Sequence, residues 1–124
     1  MGDDVEQIES PDPELEEVWQ RLTSEPEIRA VSASRWDAIG GWQVAVSAME
    51  FVHDDPLETE LRQRIATALR AVSGVASAEE QDNEKWFVAG NPSGKALVEA
   101  AVQVLDDLAD RIRAYHLRRI RRFE

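Results

Sequence analysis

The sequence contains no cysteine, only two histidines and one tyrosine, and 14 basic residues against 25 acidic ones. Each shortage excludes something. Without cysteine there is no disulfide framework, no thiol nucleophile and no zinc–thiolate site. The two histidines, His53 and His116, lie far apart in the chain and supply neither a ligand pair at metal spacing nor the base of a recognisable catalytic set. The deficit of bases leaves a net charge of −11, which favours solubility and opposes non-specific attachment to nucleic acid. No apolar run approaches the roughly 18 residues of a membrane span. The opening MGDDVEQIES has neither a basic n-region nor an apolar h-region, so a cytoplasmic location without a membrane span is expected.

What is present suits one ordinary domain. A chain of 124 residues buries roughly two thirds of the surface that its unfolded form exposes. The charges are unevenly spread. Residues 1–27 hold ten acids and one arginine, residues 28–110 hold fourteen acids and seven bases, and the last fourteen residues hold six arginines and one glutamate.

Residues 1–11 are acidic with two isolated apolar residues, Val5 and Ile8, and are expected to form a mobile tail. A single α+β domain is expected over 12–116, with a first helix at 12–24 and a core at 28–116. Asp12 suits an N-cap and Pro13 the first helical position, and Leu15, Val18, Trp19 and Leu22 recur at helical spacing. From Ile28 the texture turns to small and β-branched residues, predicting strands at about 28–36 and 42–52 around Gly40 and Gly41. A clear helix follows. Asp55 caps it, Pro56 opens it, Leu57, Leu61, Ile65, Leu69 and Val72 form its stripe, and Gly74 ends it. VASAEE and KWFVA then read as a hairpin around QDN. Ser93 caps a final helix carrying Leu97, Ala101, Leu105, Leu108, Ile112 and Tyr115.

The order is a helix followed by ββαββα. It predicts a four-stranded antiparallel sheet with two helices on one face, a circularly permuted ferredoxin-like arrangement. The stretch ALRAVSGVASAEEQDNEKWFVAG, residues 68–90, resembles the helix-to-hairpin portion of many ferredoxin-like domains. That resemblance implies a fold and assigns no function.

The most unusual segment is the last, RIRAYHLRRIRRFE. The apolar stripe of the final helix ends at Tyr115, and the same face would next present Arg119 and Arg122. A second set, Leu117, Ile120 and Phe123, follows on a rotated face, interleaved with Arg118, Arg119, Arg121 and Arg122. One helix over 94–122 would be longer than the sheet is wide, so residues 117–124 are expected to overhang as an arginine-rich end. Arginine near a helix C-terminus also complements the helix dipole, and a terminal charge run is commonly a solvated end. Partners for this end are the acidic N-terminal segment, a second copy, another protein, or a polyanion. The last is the least favoured, because a duplex would have to approach 24 acids outside the tail.

Other candidates have structural explanations. GNPSGKAL leads from a strand into a helix, the context of phosphate loops, but three residues separate its glycines and Ala96 follows Lys95, so it fails the Walker pattern and reads as a capped turn. His53, Asp54 and Asp55 offer one nitrogen donor, and Asp55 already has a capping role. Of four tryptophans, Trp19 belongs to the first stripe, whereas Trp36, Trp42 and Trp86 mark a candidate ligand or interface surface on the sheet.

These readings converge on a non-catalytic interaction or accessory module. It needs no cofactor or metal and pairs with a protein partner or with itself as a homodimer. The contact residues are Leu117, Arg118, Arg119, Ile120, Arg121, Arg122 and Phe123, with Trp36, Trp42 and Trp86. The alternatives are a small-ligand-binding or regulatory domain with a tryptophan-lined pocket, and a nucleic-acid accessory protein acting through the basic end.

Overall fold

A computed structural model describes residues 5–9, 12–22, 30–47, 56–82 and 84–121. The chain runs through strands β1 (Glu6–Ile8), β2 (Leu15–Leu22), β3 (Ala30–Trp36) and β4 (Gly41–Ser47), then helix α1 (Pro56–Arg70). Strands β5 (Val75–Asp82) and β6 (Lys85–Gly90) follow, then helices α2 (Gly94–Asp107) and α3 (Ala109–Arg121). The fold is α+β: the described residues form an open six-stranded sheet of order β1-β2-β3-β4-β6-β5, antiparallel at every pairing, with three α-helices. Six strands stand where the sequence predicts four.

The two additional strands come from the segment read as tail and helix. Residues 15–22 form a strand, not a helix, with Val18 opposite Ser34, Trp19 opposite Ala33 and Leu22 opposite Ala30. Glu6–Ile8, within the stretch expected to be mobile, pairs along its outer edge, and Val5 is buried. Two local features explain the mismatch. Asp12 Oδ1 accepts from the Glu14 amide at 2.9 Å and the Asp12 carbonyl from the Leu15 amide at 3.1 Å, so Asp-Pro makes a β-turn by the same chemistry that would cap a helix. A bulge between Leu15 and Glu17 then inserts one residue, which puts Leu15 and Val18 on one face despite their helical spacing of three.

The other elements fall close to their expected places. The second expected strand is described as far as Ser47, and its predicted remainder, with His53, Asp54 and Asp55, lies outside the described residues. Gly40, with φ 63°, turns β3 into β4 after a 3-10 turn at Asp37–Ile39. Leu57, Leu61, Ile65 and Leu69 are the buried stripe of α1. The Ser93 hydroxyl accepts from the Ala96 amide at 3.3 Å and caps α2.

α1 lies against β5, and α2 lies across β2 and β3, both on the same face of the sheet. Cross-strand partners share a face, so the register identifies the covered side: Ala33, Val44 and Trp86 in one row, and Trp42, Val88 and Ala78 in the next. All six are buried. They pack with the α1 stripe and with Leu97, Val98, Ala101 and Leu105 of α2 into one core.

The predicted helix over 94–122 is interrupted. Leu108 leaves helical geometry at φ −103°, ψ 6°, and its amide is shared between the carbonyls of Val104 at 3.1 Å and Leu105 at 3.2 Å, a tightening typical of a helix end. α3 starts immediately afterwards, with the Ile112 amide donating to the Leu108 carbonyl at 2.9 Å. Leu108, Ile112 and Tyr115 remain buried, so α3 is docked on the domain at least as far as Tyr115.

Candidate functional site

Alternation separates the three tryptophans proposed as one surface. Trp42 is 1% exposed and Trp86 0% exposed, both beneath the helices, whereas Trp36 pairs with Gly41 on the opposite face and is half-buried. Trp42 and Trp86 are therefore core residues and present nothing to the open side. Strand period explains this: residues 85–90 send Trp86 and Val88 inward and Phe87 outward. The alternation within KWFVA was the available signal, and it assigns the outward aromatic to Phe87.

The outward face is ordered by the same register. Ile8, Val18, Ser34, Gln43, Phe87 and Glu79 form one row, with Leu15, Trp36, Gly41, Ala89 and Ser77 beside it. Across β2, β3 and β4 the outward side chains include Leu15, Val18, Gln20, Ser32, Ser34, Trp36, Gln43 and Ala45, none of them charged. Glu6, Lys85 and Glu79 carry charge only towards the margins. The Phe87 ring lies over Gly41, where an added Cβ would stand 2.9 Å from it. Small residues thus floor a shallow trough between Ile8, Leu15, Val18 and Trp36 on one side and Phe87 on the other. No described element covers this trough.

The inward face near the start of α2 is closed. A Cβ on Gly94 would stand 2.5 Å from Trp19 Cδ1 and would also meet the Trp42 ring. Arg35 stacks over Trp42 with its guanidinium carbon 6.0 Å from the ring centre. Its Nε pairs with Glu16 at 2.5 Å and its Nη1 donates to Asn91 Oδ1 at 3.1 Å, while the Trp19 indole donates to Glu17 at 2.8 Å. Of the two glycines of GNPSGKAL, Gly94 is the one that packs here.

At the C-terminal end, Arg111 grips Glu60 of α1 through both carboxylate oxygens, each at 2.8 Å, and Arg64 adds a contact at 3.0 Å. The Arg111 hydrogen bonds hold the Glu60 carboxyl below its ordinary pKa and raise that of Arg111 in turn. Leu117 is 50% exposed. Arg118, Arg119, Ile120 and Arg121 continue the helical backbone, but their side chains, with Arg122 and Phe123, lie outside the described residues.

A second concavity opens between α1 and the β5–β6 hairpin. It has a volume of about 540 Å³ and is lined by Thr59, Arg62, Gln63, Thr67 and Arg70 of α1, with Glu80 and Trp86 from the sheet. Arg62 lies between Glu58 at 3.3 Å and Glu80 at 3.6 Å. Burial raises the Glu80 pKa, opposed by the Arg62 charge. Sequence reading missed this place because Arg62 and Arg70 sit on the flank of a helix whose stripe accounted for it.

No family model, curated protein or solved structure matches the chain. Among the described residues no group of three or more histidine, aspartate or glutamate side chains is placed to hold a metal ion, and no helix is long and apolar enough to cross a membrane.

Proposed function

We propose that the protein is a non-catalytic interaction module that pairs with a second copy of itself through the open face of its sheet, the arginine-rich end of α3 extending the contact. The observation that carries this reading is the uncharged centre of that face. In a chain with 39 charged residues among 124, an array of outward positions on three adjacent strands without a charge has the composition of an interface core. Two faces of this kind meet as stacked sheets about 10 Å apart.

Size supports a role for the helix end. Five inter-strand gaps of about 4.8 Å and strands of about 23 Å give a plane of roughly 550 Å², below the roughly 800 Å² per partner of a standard interface. Leu117, half exposed at the end of the docked part of α3, starts the apolar set Leu117, Ile120 and Phe123 that would add to it. Arg118, Arg119, Arg121 and Arg122 would meet acids of the partner copy. In this reading Trp36, Val18 and Phe87, which face outward on the sheet, are its aromatic and apolar contacts.

Light scattering coupled to size exclusion tests the proposal. The wild-type chain is expected at twice its 14.0 kDa mass, and Ser34→Arg, which puts a charge at the centre of the face, is expected at the single-chain mass with an unchanged melting temperature. A wild-type protein that stays monomeric at its highest workable concentration, or a Ser34→Arg variant that still dimerises, sinks the reading.

A further inference from the structure

Among the described residues, α3 is docked along one side. Leu108, Ile112 and Tyr115 face the domain and are buried, and Arg111 ties the helix to Glu60 of α1. The side turned away carries a different set. The Asp110 side chain is 93% exposed, Ala114 is exposed and Leu117 is 50% exposed. The backbone stays helical through Arg121, which places that residue on the same face. Spacings of four, three and four residues, at about 100° per residue, keep the four positions within about 60° of one another.

Along this stripe the order is acid, small apolar, large apolar, base. The four-three-four spacing is unchanged when read backwards, so a second copy of the stripe running antiparallel meets the first position for position. Asp110 then stands opposite Arg121 at each end, and Ala114 opposite Leu117 twice in the middle. A parallel pairing would instead set acid on acid and base on base. An acidic partner would suit Arg121 and not Asp110, and a basic partner the reverse, whereas the second copy offers both in reversed order. This is the self-complementarity that an isologous contact about a two-fold axis requires, and the axis would pass between Tyr115 and His116. The pair of Asp110 with Arg113 Nη1, at 3.0 Å, joins two exposed side chains. Such a pair is worth at most about 1 kcal/mol, so it does not withhold Asp110 from a partner.

We infer that α3 pairs antiparallel with α3 of the second copy, Asp110 against Arg121 at both ends and Ala114 against Leu117 between them. This pairing rests on the sheet-face dimer proposed above and specifies what the end of α3 meets in it. One two-fold axis relates both contacts, and the helix pair adds the area that the sheet plane lacks.

Charge exchange reads both the contact and its register. Sedimentation equilibrium at low salt compares the full wild-type chain with Asp110→Arg, with Arg121→Asp, with an equimolar mixture of the two, and with the double variant carrying both changes. Each single change sets like charges opposite each other at both ends, and is expected to raise the dimer dissociation constant about three- to tenfold. In the mixture and in the double variant, opposite charges face each other again, and the affinity is expected to return to within about twofold of wild type. That rescue separates pairing from any fraying that Asp110→Arg causes in the first turn of α3. Wild-type affinity in both single variants overturns the pairing, and so does a loss that neither the mixture nor the double variant restores. Ser34→Arg, measured alongside, tells this failure from that of the sheet-face reading. A dimer that Ser34→Arg abolishes and charge exchange leaves untouched keeps the sheet face and removes the α3 pair. A dimer that responds to charge exchange with rescue and not to Ser34→Arg does the reverse. A wild-type chain that stays monomeric overturns both.

Discussion

At the residue scale, two glycines show how similar letters carry different physical constraints. Gly40 adopts φ 63° with nothing within 4 Å of the place a Cβ would occupy, whereas Gly94 sits in an ordinary helical start but against the rings of Trp19 and Trp42. The first needs glycine for its backbone and the second for its neighbours. Gly40→Ala is therefore expected to cost about 1–2 kcal/mol of left-handed strain and leave the tryptophan environment unchanged. Gly94→Ala must displace an indole or the start of α2 and is expected to cost about 1–3 kcal/mol as overpacking. Urea denaturation followed by intrinsic fluorescence separates them: only Gly94→Ala should shift the native emission spectrum. Equal spectra in the two variants would mean that α2 does not press on these rings. Neither assignment was open to sequence reading, which saw a turn pair in one case and half of a near-motif in the other.

At the element scale, α3 is joined to α1 by a carboxylate that titrates. Hydrogen bonds from Arg111, with the Arg111 and Arg64 charges, depress the Glu60 pKa below its ordinary value. A depressed folded pKa stabilises the fold above the unfolded value, about 4.3 for glutamate, and that contribution fades as pH falls through the folded value. Glu80 works the other way: its raised pKa means a contribution present below the unfolded value and lost as pH rises through the folded one. Glu60→Gln is accordingly expected to lower stability near neutral pH and to flatten the acid limb of the stability curve, the two proteins converging once Glu60 is protonated. Parallel curves from pH 7 down to pH 3 would show that the Arg111 contact does not persist in solution. The elements that sequence pattern located, α1, the β5–β6 hairpin and the cap of α2, are those specified by nearby residues. β2 was hidden because LEEVWQRL satisfies a helical spacing locally, while its strand state depends on partners in β3 eight to twenty-one residues away and on a bulge that mimics that spacing. Non-local pairing overrode propensity there.

At the scale of the whole molecule, the proposed self-association has to overcome charge. Each copy carries −11, so two bodies repel, and contact is favoured where charge is absent, on the open sheet face, or where it is reversed, at the end of α3. These two regions respond to salt in opposite directions. Screening, with a Debye length of about 10 Å at 0.1 M, weakens repulsion between the bodies and also weakens attraction between the terminal arginines and acids of the other copy. The double variant Arg118→Glu, Arg122→Glu removes the attractive part and adds to the repulsion. It is expected to dimerise more weakly than the wild type at low salt and to regain association as salt rises, whereas the wild-type dimer should lose affinity or change little. Sedimentation equilibrium across a salt series reads this sign directly. The melting temperature of the variant monomer should stay within a few degrees of wild type, since a loss of 1 kcal/mol would lower it by roughly 2–8 °C in a domain of this size. A variant whose dimer affinity follows the wild-type salt curve would remove the arginines from the interface and leave the uncharged sheet face to hold the pair alone. A variant that melts well below wild type would instead place residues 118–122 among the packing contacts of α3.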